Sequence, residues 1–432
     1  MIIYTNHITP RLQYILSVLF NKQIEITTNK TLFQNTNAAK INYSENRISE
    51  NEIWVNPHPL LSETTIKPQN INCFEWNGLK AFYKTGGDLP FDIFSASFYL
   101  ISRYEEWLPH SKDEYGRYGY TNSIAYKENF LNQPLVNLWM KEFEKIIIAK
   151  SPGAVFQTSQ FQFLPTYDID IAYNYTGKGF WRNTSSFVKA LFTGNFKKIA
   201  EQIRTVTEKQ KDPFDIYDWL NALHSKSNIE VIYFFLLANK NRHCDKNILP
   251  KKTVIKELIK NISAKNKIGI HPSWQSGDNE KLLKNEIEIL GNISQQKINS
   301  SRQHYIRMSF PETYQSLIKN NITHDYSMGY GSINGFRASY AKPFVWYDLE
   351  KEENTGLIIH PFCYMDANAF FEEKLSVRQA DEELNYYFSI TKSVNGEFSI
   401  IHHNHFLTEQ NEWSEWRKMY EDFIKNSVET VL

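Results

Sequence analysis

The sequence predicts an α/β protein in which a mostly parallel sheet, open or closed into a barrel, follows a smaller mixed α/β domain. Three observations carry this reading. Beyond about residue 160, apolar runs of strand length alternate with amphipathic helical segments, the rhythm of β–α–β units. A chain of 432 residues exceeds a typical single core, so two domains are the natural division. The rhythm changes near Ser151-Pro152-Gly153, where Pro and Gly stop a helix, which places the domains at 1–153 and 154–432.

In the first domain, Leu12, Ile15, Leu16, Leu19 and Phe20 fall at helical spacing, and Gln23–Thr28 alternates like a strand. A second helix is read in FDIFSASFYLISRYEEW, with Ile93, Phe94, Ser97, Leu100, Ile101 and Tyr104 roughly on one face. A third is read in LVNLWMKEFEKIII. In the second domain the strands are FQFLPTY, VIYFFLL, KIGIH, Lys297–Ser301, ITHDY, GLIIHPF and FSIIHH, about seven in all. Helices are expected around Pro213–His224, Lys251–Ser263, Asn279–Asn292, Glu312–Lys319, Val377–Thr391 and Trp413–Ile424.

Composition narrows the function. Basic and acidic residues balance at 48 each with no basic stripe, so the footprint of a general nucleic-acid binder is missing. Cys73, Cys244 and Cys363 are too few and too scattered for a disulfide framework, which fits a reducing compartment. The N-terminal stretch has no continuous apolar signal core and no window is long enough to span a bilayer, so a cytoplasmic protein is expected. Aromatics reach 15%; they fill cores first, but their faces also suit sugar rings.

In parallel α/β folds ligands sit at the carboxyl ends of strands, so the polar residues just after each apolar run are the candidates. Asp168 and Asp170 close the first run; at i, i+2 they project to one side of an extended chain, one able to bind a metal and the other to act as base. A cap on the following turn is the plainer alternative. His271 ends the KIGIH run, with Gln275 four residues on. Arg302 has the planar fork that orients a carboxylate. FSIIHHNH brings His402, His403 and His405 to the last strand end, with alternation putting His403 and His405 on one side. Carboxylate plus imidazole suits zinc first, and other divalent ions too. No Gly-rich phosphate loop or G-x-S-x-G elbow competes.

These strings resemble the motifs of NodB-homology polysaccharide deacetylases. TYDID is similar to T-F-D-D in the form S/T-F-D-V-D, which implies Asp168 as catalytic base and Asp170 as metal ligand. HPSWQ resembles H-S/T-x-x-H, giving His271 and Gln275 as ligands, with a Gln where the motif has its second His; His405, His402 or His360 is an alternative third ligand. SRQHY resembles R-x-P-Y, making Arg302 the tether of Asp168, and FSIIHH resembles L-x-I-H, making His403, with His402 as alternative, the general acid. The segment from Arg302 to Ser339 looks like a subgroup of bacterial deacetylase-like proteins, which implies Asp325, Tyr330 and Arg337 on the substrate side; His360, at a strand end, joins them. That subgroup carries an N-terminal domain with a string like SFYLISRYEEW.

The resemblance implies a distorted, incomplete (β/α) barrel of seven strands and one divalent ion, zinc first. The activity implied is removal of acetyl groups from an N-acetylated sugar or polysaccharide. Two other readings stay open: a carbohydrate-binding or assembly module with impaired chemistry, which Gln275 favours, and a hydrolase of another non-peptide C–N bond.

Overall fold

The computed structural model describes residues 1–21, 24–156, 159–177, 196–207, 209–227, 229–410 and 413–429. Strands β1 (Ile2–Thr5), β2 (Glu25–Thr27), β3 (Lys40–Tyr43) and β4 (Ile53–Trp54) form a parallel sheet in the order β2-β1-β3-β4, which the sequence signalled only at β2. Gln23, the first residue of the strand read there, lies outside the described residues. A hairpin of β5 (Phe74–Trp76) and β6 (Leu79–Ala81) follows. The helix Pro10–Leu19 begins where Thr9 caps the backbone N–H of Leu12 and Pro10 supplies a preset φ.

The run read as one helix through Trp107 is two elements. Asp92 caps Ile93–Ile101 through the N–H groups of Phe94 and Ser95, both at 3.0 Å. The helix then breaks at Arg103, whose φ of 55° is left-handed, before a 3₁₀ turn over Tyr104–Trp107. Buried electrostatics explains the break, since the turned backbone lets the guanidinium meet Glu105 at 2.8 Å and Glu106 at 2.7 Å.

The C-terminal part is a parallel (β/α) barrel. Its strands are β7 (Gln162–Ile169), β8 (Ile232–Leu236), β9 (Lys267–His271), β10 (Ser300–Ser301), β11 (His324–Met328), β13 (Glu353–Met365) and β14 (Glu397–His403), with β12 (Phe344–Asp348) laid antiparallel on β13. Neighbours run β11-β10-β9-β8-β7-β14-β13, and β11 pairs with β13 to close a ring of seven. The closing seam is short and its register slips between Asp325 and Met328, which distorts the barrel. β12 was not read as a separate strand. Helices Thr253–Ser263, Glu280–Ser294, Glu312–Lys319, Val377–Ser393 and Trp413–Glu429 lie close to their expected positions.

Alternation along β7 and β14 sets what faces the lumen. Leu164, Thr166 and Asp168 point inward on β7, and Ile401 and His403 do so on β14. Tyr167 and His402 point outward, where Tyr167 bonds His224 and Tyr420, and the His402 ring lies 4.0 Å from that of Tyr420. The lumen is packed by Ile232, Phe234 and Tyr326, and by Ile306, Phe362, Met365 and Ile401. The larger apolar core runs between the strands, their helices and the N-terminal elements. No helix among the described residues is long and apolar enough to cross a membrane.

Candidate metal centre

The carboxyl ends of the barrel strands open into a cleft of about 490 Å³ whose lining includes Asp168, Asp170, His271, His304 and His403. Asp170 sits one residue beyond β7, with its Oδ1 3.2 Å from His271 Nε2 and its Oδ2 3.6 Å from His304 Nε2 and 3.7 Å from His403 Nε2. The ligand-capable atoms of Asp170, His271 and His304 all lie within 4.8 Å of one another.

The opposite nitrogen of each ring is engaged. His271 Nδ1 lies 2.6 Å from the Arg302 carbonyl, which can only accept, so Nδ1 carries the proton there. His304 Nδ1 lies 3.1 Å from Asp245 Oδ1, and His403 Nδ1 lies 2.7 Å from Asp366 Oδ1. In the neutral state of these rings each Nε2 therefore presents a lone pair toward the same carboxylate. Among the described residues, no group donates to the buried Asp170 Oδ1 while the His271 ring is neutral at Nε2. Acceptors facing acceptors call for a positive charge between them, and a histidine fixed through Nδ1 by a carboxylate or carbonyl is the usual support of a metal ligand. The donor set thus fits a divalent cation held by Asp170, His271 and His304.

Without a cation, protons take its place in the electrostatics. Burial lowers His304, but Asp170 and Asp245 outweigh it and hold the ring at about 9. Burial likewise opposes charge on His403, yet Asp366, Asp170 and Asp168 raise it to about 10. Burial pushes the Asp170 carboxyl up, and the neighbouring His304 and His271 pull it well below the usual carboxylate range.

Arg302 lies across the lumen beneath this group. It donates to Asp168 Oδ1 at 3.2 Å, to the Thr166 hydroxyl and to the Tyr326 carbonyl at 2.9 Å. Its guanidinium carbon is 4.7 Å from the Phe234 ring and 5.7 Å from that of Phe362. Asp168 Oδ2 lies 3.8 Å from His271 Nε2, close to the proposed ligands but not among them.

The structure thus brings Asp168, Asp170, His271, Arg302 and His403 to one rim, as their strand-end positions imply. Gln275 does not join them. Its side-chain N–H₂ donates to the Lys240 carbonyl at 2.9 Å and to Asp245 Oδ2 at 3.0 Å, so it steadies the carboxylate behind His304. His304, not Gln275, places a ligand-capable nitrogen beside those of Asp170 and His271. A sequence signal existed, since 302 and 304 stand at the end of β10 with the same i, i+2 spacing as 168 and 170 at the end of β7. Asp245 and Asp366, which fix two of the imidazoles, were also not singled out.

The four residues expected on the substrate side lie elsewhere. Asp325 is buried on β11 itself, accepting from Ser301 Oγ at 2.7 Å and from the Ser327 N–H at 2.9 Å. His360 stacks on Tyr326 and meets Glu397 Oε1 at 2.8 Å, near the amino ends of β11 and β14 and away from the cleft. Tyr330 and Arg337 are buried against the N-terminal region, where Arg337 bonds Glu106 at 2.8 Å (Nε) and 2.5 Å (Nη2), and Tyr330 accepts from Arg103. His402, the alternative acid, faces outward, and burial lowers it to about 4.

The Glu106 network makes a stability prediction. Burial pushes Glu106 up, but Arg337 and Arg103 outweigh burial and hold it at about 2. Its folded value lies below an unfolded value of about 4.3, so its stabilisation is present above pH ~4.3 and is lost as pH falls toward 2. Arg337→Ala leaves that carboxylate short of a partner, and chemical denaturation at pH 7 should show a loss of about 3–5 kcal/mol. A substrate-binding arginine would leave the unfolding midpoint unchanged.

A family model described as a family of unknown function, DUF7033, matches residues 1–152. No curated protein matches the sequence. The chain is similar in structure to proteins assigned as polysaccharide deacetylases from Mycobacterium smegmatis (12% identity, 63% of this chain and 86% of that one, TM-score 0.39) and from Pseudomonas aeruginosa PAO1 (10% identity, 62% and 84%, TM-score 0.38). It is also similar to the polysaccharide deacetylase Bc1974 from Bacillus cereus (10% identity, 62% and 88%, TM-score 0.30). Likeness of this degree assigns no residue a role, so the chemistry rests on the side chains themselves.

Proposed function

We propose that the protein is a metal-dependent hydrolase that removes acetyl groups from an N-acetylated sugar or polysaccharide. The observation that carries this reading is the convergence of three imidazoles, each secured at Nδ1, on the single carboxylate of Asp170 with a second carboxylate, Asp168, alongside. A divalent ion, zinc first, on Asp170, His271 and His304 would acidify water and polarise an amide carbonyl.

The chain's own groups divide the proton work. Arg302 holds one oxygen of Asp168, leaving Oδ2 on the side of the ligand cluster to take a proton from the attacking water. Water oxygen bonds to the acetamide carbon and the C–N bond breaks. His403, kept protonated by Asp366, delivers a proton to the departing nitrogen, so acetate and a free amine leave. Partly exposed Tyr305 and Phe371 at the cleft offer faces against which a sugar ring can lie. His304 supports the enzyme over a binding module, because it offers the imidazole that Gln275 lacks.

The test is metal content together with acetate release. Purified protein in metal-replete buffer should retain one divalent ion per chain and release acetate from N-acetylated oligosaccharides, with both lost on chelation. Protein that takes up no ion and releases no acetate sinks the proposal.

A further inference from the structure

The backbone just after His304 is strained. Tyr305 has φ 59° and ψ 13°, and Ile306 has φ 54°. Two consecutive left-handed residues without glycine are uncommon, and for a β-branched isoleucine the conformation is an outlier that surroundings must impose. The strain directly adjoins a proposed metal ligand.

What restrains this turn comes from the N-terminal domain. Arg117, 5% exposed, donates from one guanidinium nitrogen to the Tyr305 carbonyl at 2.8 Å and to the Gly331 carbonyl at 3.1 Å. Asp113 aims it, accepting from Arg117 Nε at 2.6 Å and from the Arg117 backbone N–H at 2.9 Å. Tyr115, from the same loop, lies under the guanidinium at 4.7 Å and against the Tyr305 ring at 5.2 Å. Position 331 is closely matched: a Cβ there would come within 2.1 Å of the bonding Arg117 nitrogen and 2.9 Å of the Tyr305 oxygen. Tyr115, Arg117, Tyr305 and Gly331 all line the cleft.

We propose that Arg117 is a positioning residue for the metal centre: the N-terminal domain completes the site by clamping the strained Tyr305–Ile306 turn, and so fixes where His304 points. This inference rests on the reading of Asp170, His271 and His304 as metal ligands. It gives residues 1–152 a role in a site that the barrel strands only partly build.

The test measures the affinity of the purified full chain for Zn(II), by competition with a chelating dye, and records the visible spectrum of the Co(II)-loaded protein. Arg117→Ala should weaken Zn(II) binding by roughly tenfold to a hundredfold, the range for loss of an outer-shell support, and alter the Co(II) spectrum. Arg117→Lys, which cannot reproduce the aimed fork, should show a smaller loss in the same direction. Gly331→Ala, which displaces the guanidinium without removing it, should weaken binding comparably. Arg47→Ala breaks a more exposed pair with Asp88 in the same domain and should change nothing, separating positioning from general loosening. If Arg117→Ala fails to fold, the Lys and Gly331 variants carry the test. Affinities within about twofold of wild type, with unchanged Co(II) spectra, overturn this inference alone; a wild-type chain that binds no Zn(II) overturns the metal reading and this inference with it.

Discussion

His304→Ala should strip the protein of its divalent ion, whereas Gln275→Ala should leave it bound. His304 Nε2 faces Asp170 Oδ2 at 3.6 Å and belongs to the three-residue group whose donor atoms lie within 4.8 Å. Removing it leaves one imidazole and one carboxylate, short of the three protein ligands usual for a catalytic zinc. Affinity should therefore fall by more than the tenfold to hundredfold typical of outer-shell losses. Gln275 reaches the centre only through Asp245, at 3.0 Å, so Gln275→Ala should cost roughly tenfold at most. Metal content after dialysis, with circular dichroism as the check on folding, reads both variants. A His304→Ala chain that keeps a stoichiometric ion would remove His304 from the ligand set, and loss of the ion in Gln275→Ala alone would restore the expectation drawn from HPSWQ.

This contrast marks where the sequence was informative. Strand-end positions identified Asp168, Asp170, His271 and His403, because a run such as KIGIH carries its own boundary: apolar residues that must be buried, then a polar one at the rim. Strand parity was equally useful, separating inward His403 from outward His402 once β14 was placed. His304 was overlooked although the strand read at Lys297–Ser301 ends where β10 does, because the R-x-P-Y resemblance gives the position it occupies a Pro rather than a ligand. Asp245 stands nine residues past the end of β8, in a loop whose path no local pattern fixes. Tyr330 and Arg337 were misassigned for another reason. A buried ion-pair network and a binding site draw on the same residue types, and only the position of Glu106, 231 residues from Arg337, tells them apart. The left-handed residues Arg103 and Tyr305 escaped notice too, since neither is a residue that normally signals a positive φ.

Asp168→Asn should lower kcat by roughly a thousandfold or more while metal content persists. Asn keeps the volume and an acceptor oxygen for Arg302 but cannot take a proton from water. Arg302 would lose its paired negative charge, yet it keeps the Thr166 hydroxyl, the Tyr326 carbonyl and the faces of Phe234 and Phe362, so the fold should survive with reduced stability. The base and the ligand set are separable here: Asp168 Oδ2 is 3.8 Å from His271 Nε2, while Asp170 Oδ1 is 3.2 Å from it. Asp170→Asn should accordingly lose the ion and activity together, and Asp168→Asn activity alone. The pH–rate profile gives an independent check on the acid: Asp366 holds His403 at about 10 against the effect of burial, so the alkaline limb of kcat/KM should move to lower pH in an Asp366→Asn variant. Full turnover by the Asp168→Asn protein would mean that the proton leaves water by another route, and Asp168 would then be only the buried counter-charge of Arg302.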